Sequence, residues 1–531
     1  MHLPKVQNLT MTQASHHIKN LSVTPYVSYF YTSEGVNAYL CKNRTTLTMN
    51  RKKQRVKNPN VTLYAFHLRT DMTTTVVEDA ARLWENLAQL SQKFSISELE
   101  QFTNNLICYQ NGKYNPDGEQ GQPTHFLELI PQENKLSFSQ KEQTDSLTLS
   151  GSLHPFRLHD VYAVDFTICY KNQEIDVNQL HRFNPHGCLL PTNIQASLGQ
   201  TVLLYAEPLE DVTDYQALAD EYVQAFWQTS NQSLPRFINK GKLFGSPIFE
   251  YEEFPKYDAQ NPNELSHILV WLGTHSDTLE CAAKANNWLI NLLNCRSKIL
   301  FAYHQTHQSH NKARQLYNQL EDKSPQFDDI KKRDERLTQL ENGLKNILPE
   351  AFEYSRHLRD LEEQRNTLNA NAQNYAELLI EIRSLSKDEF KDNFKFWEDL
   401  HTRTCKHYQQ QIDLYINYLK PGHHLFEQMI ATTRGLVEIE NQKRGQEFQF
   451  LIAFVGFTIG ISTLSARTII NPTNWLLQLF EKIQPPLYEI PQFFSAIPEE
   501  IANLFFHLIV GGGMAFIISR GILYLLNSKK N

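Results

Sequence analysis

The chain reads as a cytosolic α/β domain, a long α-helical stalk and two C-terminal transmembrane helices, and three observations predict that class. Short β-branched and aromatic runs alternate with helical patterns over residues 61–272. Apolar residues recur at three-four spacing over 327–385. Two apolar stretches, 448–466 and 504–526, lie close together near the end of the chain. At about 1.5 Å of rise per residue the first covers roughly 28 Å as a helix, the thickness of a bilayer's hydrocarbon core.

Taken in order, residues 1–60 form an extension that ends in the basic run Arg51, Lys52, Lys53, Arg55 and Lys57. Within 61–272, strands are expected at 61–68, 125–130, 161–170, 201–206, 247–251 and 267–272. Thr75 and Glu78 have capping-box spacing for a helix that carries Val76, Leu83, Leu87 and Leu90, and Thr213 caps a second helix that runs to Trp227. The stalk occupies 273–447. Asp277 and Glu280 open its first helix, and Leu337, Leu340, Leu344, Ile347, Tyr354, Leu358, Leu361, Leu368, Tyr375, Leu379 and Ile382 supply the coiled-coil pattern of the next. Pro421-Gly422 is expected to break a further helix, after which the last one enters the span at 448–466. An external loop (467–503), the second span (504–526) and a short tail (527–531) complete the chain.

A net charge of −7 argues against direct nucleic-acid binding, because no strongly basic surface is available to meet phosphates. The polar start of the chain, with His16, His17 and Lys19, does not resemble a signal peptide. Arg434, Lys443 and Arg444 precede the first span and Arg520, Lys529 and Lys530 end the second, so the positive-inside bias places both termini in the cytoplasm of an inner-membrane protein. Seven scattered cysteines without a Cys-x-x-Cys pair read as core thiols in a reducing compartment.

Glu438-Ile439-Glu440-Asn441-Gln442-Lys443-Arg444, followed by the apolar 448–464, looks like a polar stalk end feeding a first span. With the order of domains, this resembles the CorA-like divalent-cation channel family over nearly the whole chain. The resemblance implies a homo-oligomer, a pentamer in that family, with the first span lining a pore. One departure stands out: the transporting members carry Gly-Met-Asn at the outer pore mouth, where this chain has Ser465-Ala466-Arg467. Its Gly513-Met514 lies in the second span and is followed by Ala515. Divergent CorA-like proteins associated with type III CRISPR systems keep the architecture, and similarity to them implies a membrane effector of antiviral defence gated by a nucleotide second messenger.

Four sets of residues are candidates for chemistry. Thr458, Ser462 and Ser465 share one face of the first span and either line a pore or pack against another helix. Glu438, Glu440 and Glu447 would form a cation-attracting ring at the inner mouth, or else simply a solvated helix end. Arg51, Lys52, Lys53 and Arg55 offer donors for the phosphates of a nucleotide ligand, or a solvated loop. His304 and His307, with His310 one turn on, have spacing that can hold a metal ion or can mark a polar face. No catalytic constellation is present, for Walker A, His-Glu-x-x-His and Gly-x-Ser-x-Gly patterns are all missing from the sequence. The resulting expectation is a ligand-gated CorA-like channel or effector in contact with membrane lipid, its ligand a nucleotide or a divalent cation. The alternatives are a divalent metal-ion transporter and a non-conducting membrane-anchored scaffold.

Overall fold

The computed structural model describes residues 54–69, 76–131, 134–142, 146–230, 232–253, 261–322 and 333–441, all of which belong to one compact unit that begins at Gln54. Strand β1 (Arg55–Leu68) lies in mid-sheet, antiparallel to β7 (Val161–Cys169) on one side and β9 (Gly199–Pro208) on the other, with Leu63 opposite Phe166 and Val202. Its run from Val61 to His67 is buried on both faces, which is why it reads as a continuous stretch rather than an alternating one.

Helices α1 (Val76–Ala88) and α2 (Leu90–Phe94) follow β1. A small hairpin, β2 (Tyr109–Gln110) and β3 (Lys113–Tyr114), turns on Asn111-Gly112, both left-handed at φ 52° and 73°. Then come β4 (Phe126–Glu128), β5 (Leu136–Lys141), β6 (Thr148–Leu158), β7 and β8 (Glu174–Asp176), followed by α3 (Pro191–Ile194). After β9, helix α4 (Tyr215–Trp227) is capped by Asp214 rather than Thr213, its side chain accepting from the backbone of Gln216 and Ala217. The sheet is completed by β10 (Arg236–Leu243), β11 (Ser246–Glu252) and β12 (His267–Leu272). Its main path runs β10-β11-β12-β9-β1-β7-β6-β4, with β5 added to β6 and β8 to β1. Every pairing is antiparallel except β12 with β9.

Alternation along each strand divides the interior in two. Val61, Leu63, Ala65, Val202, Leu204, Ile268 and Val270 share a core with α1, α2 and α4. Tyr64, Phe66, Tyr205, Ile248, Leu269 and Trp271 face the other way and share a core with three long helices. These are α5 (Thr278–Asp322), α6 (Arg333–Ser384) and α8 (Lys406–Asn441). Short α7 (Lys395–Asp399) and a π-helical turn at Leu400–Cys405 lead into α8. In α6 the buried residues Leu340, Ile347, Tyr354, Leu361, Leu368, Tyr375 and Ile382 recur every seventh position, the seam of a coiled coil. Pro421-Gly422 does not end a helix, since α8 runs through it. The reason is packing: a Cβ on Gly422 would lie 2.3 Å from the Tyr354 hydroxyl, so only glycine lets α6 approach here. That hydroxyl donates to the Leu419 carbonyl at 2.6 Å and ties α6 to α8 beside the proline.

The expected architecture needs correction. Among the described residues no helix is long and apolar enough to cross a membrane, so the transmembrane fold class, the channel reading and the inner-membrane localisation with two spans are not supported. The long helices fail as spans because charges such as Glu280, Lys284, Arg296 and Lys298 in α5, or Arg356, Arg359 and Arg365 in α6, interrupt every apolar run. The stretches 448–466 and 504–526, on which that expectation rested, lie outside the described residues.

Candidate metal centre

Strand parity delivers a set of polar side chains to the helix-facing side of the sheet. Glu252 on β11 sits directly opposite His267 on β12, Glu250 is two residues back on the same face, and the parallel register places Thr201 of β9 beside His267. The donor atoms of Glu250, Glu252 and His267 lie within 4.8 Å of one another. His267 Nε2 is 3.1 Å from Glu250 Oε1, and His267 Nδ1 is 2.8 Å from the Thr201 hydroxyl.

Three helices close over this group. Arg296 of α5 donates from Nη2 to Glu252 Oε1. Tyr375, a seam residue of α6, is buried within range of the charges of Glu250 and Arg296, and Tyr408, one turn beyond the π-helical segment, feels Glu252 and Arg296. Wide π turns occur often at functional sites, where the extra residue redirects a side chain. Here the turn precedes Tyr408, whose ring stacks on Tyr303 of α5 with centroids 3.6 Å apart. Six elements thus converge on one polar nest.

Access is graded: the His267 side chain is 4% exposed, Arg296 and Glu250 12% each, and Glu252 34%. Burial pushes His267 down to about 3, with Arg296 acting in the same direction and Glu252 opposing, so the imidazole is neutral at ordinary pH. Burial raises the Glu250 carboxyl and Arg296 holds it back. Burial likewise pushes the Tyr408 hydroxyl up to about 12. With both carboxylates ionised, two negative charges face one guanidinium, which leaves the nest one positive charge short. A buried surplus of that kind draws in either a proton or a cation.

The donor set suits a cation. If the Thr201 hydroxyl accepts from Nδ1–H, the lone pair of Nε2 turns toward the two carboxylates, the outer-shell arrangement that orients a histidine ligand. One imidazole and two carboxylates match first-row transition ions better than Mg²⁺, which prefers all-oxygen octahedra and keeps its waters.

The residues singled out from sequence fall elsewhere. Thr458, Ser462, Ser465, Glu447, Arg51, Lys52 and Lys53 lie outside the described residues. Arg55 stands on β1 and pairs with Glu174 of β8 at 3.0 Å. Glu438 pairs with Arg434 one turn earlier at 2.9 Å, and Glu440 occupies the last turn of α8. His304 Nε2 meets Gln308 at 3.0 Å, His307 Nδ1 meets the Tyr415 hydroxyl at 3.1 Å, and the His310 ring stacks on Tyr415 at 4.0 Å. His307 and His310 join α5 to α8 while the His304 contact stays within α5, and the set of three clustered metal-type donors found among the described residues is instead Glu250, Glu252 and His267. A signal for it was present in the sequence: Ile248 and Glu250 alternate along the expected strand 247–251 and Glu252 just beyond it keeps the parity, so the two glutamates take positions where a buried face wants apolar residues.

No protein-family model matches the chain, and no curated protein and no solved structure matches it significantly.

Proposed function

We propose that this protein is a divalent-cation-responsive switch, in which Glu250, Glu252 and His267 bind a transition ion such as Zn²⁺ or Mn²⁺ and the long helices α5, α6 and α8 form the responding arm. The convergence of three ligand-type side chains at the junction of sheet and helices carries this reading. Arg296 occupies the position of the cation's rival, since it neutralises Glu252 from α5. An ion that binds both carboxylates removes the need for that guanidinium, releases it toward solvent and alters how α5 sits on the sheet. Such an ion shifts the population of helix arrangements only to the extent that it prefers one of them. A hundredfold preference is worth about 2.7 kcal/mol.

The test is titration of the metal-free full chain with Zn²⁺, Mn²⁺ and Mg²⁺, read by calorimetry and by amide hydrogen exchange in α5. The expected result is one tight transition-ion site per chain, weak Mg²⁺ binding and altered exchange around Arg296. Equal stoichiometry and affinity in wild type and in a Glu250→Gln, His267→Asn double variant would overturn the reading.

A further inference from the structure

A second site is carried by a cleft of about 470 Å³ formed among α2, β5, β6 and the turns after β8, within the part of the sheet that packs against α1 and α2. Its walls bring together Lys93, His181, Arg182 and His186 over an apolar floor that includes Phe94 and Leu149. One carboxylate, Glu142, also lines it, but both of its oxygens are engaged: Oε2 accepts from Arg182 Nη1 at 2.9 Å and Oε1 accepts from the Tyr170 hydroxyl. Glu142 therefore braces Arg182, and the charge left over in the cleft is that of Lys93, beside the imidazoles of His181 and His186.

The histidines are held in place. The carbonyl of Asn178 can only accept, so its 2.6 Å contact with His181 Nδ1 puts the proton there and leaves Nε2 for another partner. His186 adopts left-handed backbone at φ 57°, a conformation that a non-glycine residue holds only under constraint. The constraint is the fully buried Asn184, whose Oδ1 accepts from the Leu189 amide at 2.9 Å and whose carbonyl accepts from the Gly187 amide at 3.0 Å. Its Nδ2 donates to the Phe226 carbonyl at 3.2 Å and ties the turn to α4. Ser95 also lines the cleft and is left-handed at φ 55°, the ordinary close of a helix, its amide donating to the Ser91 carbonyl where α2 ends after Phe94. A turn braced by a buried asparagine, with cationic and imidazole side chains lining the same cleft, is organised before its ligand arrives.

We infer that this cleft binds a small phosphate ester with a compact apolar body, the phosphate meeting Lys93, Arg182 and the imidazoles and the body resting on Phe94 and Leu149. Arg and Lys provide paired and point-charge recognition of phosphate, and the volume falls in the range of small-molecule sites. The inference is independent of the metal centre, whose residues lie on the opposite face of the sheet.

The probes are inorganic phosphate and phenyl phosphate, titrated calorimetrically into the full chain in buffer containing EDTA so that no metal takes part. Phenyl phosphate is expected to bind at least about tenfold more tightly than inorganic phosphate, the effect of the apolar floor. Lys93→Met and His186→Asn are each expected to weaken phenyl phosphate about fivefold or more, asparagine being chosen because it tolerates left-handed backbone. The Glu250→Gln, His267→Asn variant is expected to bind it as wild type does, so failure here and failure at the metal centre are separable. No binding of phenyl phosphate up to about 10 mM, or binding unchanged in both cleft variants with their melting temperatures preserved, overturns the inference.

Discussion

The Thr201 hydroxyl lies 2.8 Å from Nδ1 of His267 on the neighbouring strand, and this contact governs which ring nitrogen meets Glu250 and Glu252. Thr201→Val keeps the β-branched shape that suits the strand and removes the oxygen. Transition-ion affinity is expected to fall about tenfold, the usual effect of losing an outer-shell partner, with far-ultraviolet circular dichroism unchanged. Unchanged affinity would mean that Thr201 does not orient the imidazole.

Arg296 and a metal ion compete for the same carboxylate. Arg296→Gln leaves Glu250 and Glu252 without their cation, so metal-free protein is expected to lose about 1–3 kcal/mol, less than for a fully buried pair because Glu252 is partly exposed. The same variant is expected to bind Zn²⁺ or Mn²⁺ several-fold more tightly and to recover more melting temperature on metal addition than wild type. Parallel chemical denaturation with and without metal measures both.

Acid stability of the metal-free chain follows from His267. The unfolded imidazole takes a proton near pH 6.5, whereas the folded one resists until about 3, so between these values the unfolded state binds more protons. Stability from this group is therefore full above pH 6.5 and declines as pH falls, by up to about 1.4 kcal/mol per pH unit. The raised Glu250 carboxyl works in the opposite sense, so the effect is read as a difference between wild type and His267→Asn. Urea midpoints from pH 7 to pH 4 should fall more steeply for wild type.

Two glycines of α8 make a paired test of the helix packing. Gly422→Ala would drive a methyl group against the Tyr354 ring and against Tyr317, 2.7 Å away, and is expected to cost about 1–3 kcal/mol. Gly435→Ala meets nothing within 4 Å and is expected to stabilise by up to about 1 kcal/mol through helix propensity. Thermal unfolding distinguishes them by sign.

On the sheet side, Arg157 Nη1 reaches buried Glu119 Oε2 at 2.5 Å, Arg69 Nε lies 3.4 Å from the same oxygen, and the Tyr162 hydroxyl donates to Oε1. Glu119→Ala strands these donors. A loss of about 3–5 kcal/mol is expected in denaturant titration, with cation binding at the distant centre unaltered in the fraction that remains folded.

Elements whose own residues carry a period were legible in the sequence. The seven-residue recurrence from Leu340 to Ile382 follows from the helix repeat alone, and the apolar run in β12 needs no partner to be read as a strand. Strand β6 was not legible because Gly151 and Pro155 interrupt it. Gly151 is there for packing, since a Cβ would lie 2.1 Å from the Thr167 carbonyl and 2.5 Å from the Phe138 ring. Edge strand β10 hides behind Arg236, Lys240 and Lys242, and its outer edge is partly covered by the antiparallel bridge of Lys242 to Asn393. At the candidate centre, Glu250 and Glu252 show their face by alternation, but Thr201, Arg296, Tyr375 and Tyr408 join them through register and helix docking, which no local pattern encodes. The membrane reading came from apolar length in 448–466 and 504–526, a property that says nothing about the described helices, none of which is long and apolar enough to cross a membrane.

Anomalous diffraction from crystals soaked in Mn²⁺ or Zn²⁺ after chelation tests the switch most directly. A single strong peak is expected about 2.0–2.2 Å from His267 Nε2 and from oxygens of Glu250 and Glu252, with the Arg296 guanidinium withdrawn from Glu252. Anomalous density confined to other residues, or a junction that keeps the Arg296 to Glu252 pair at saturating metal, would contradict it.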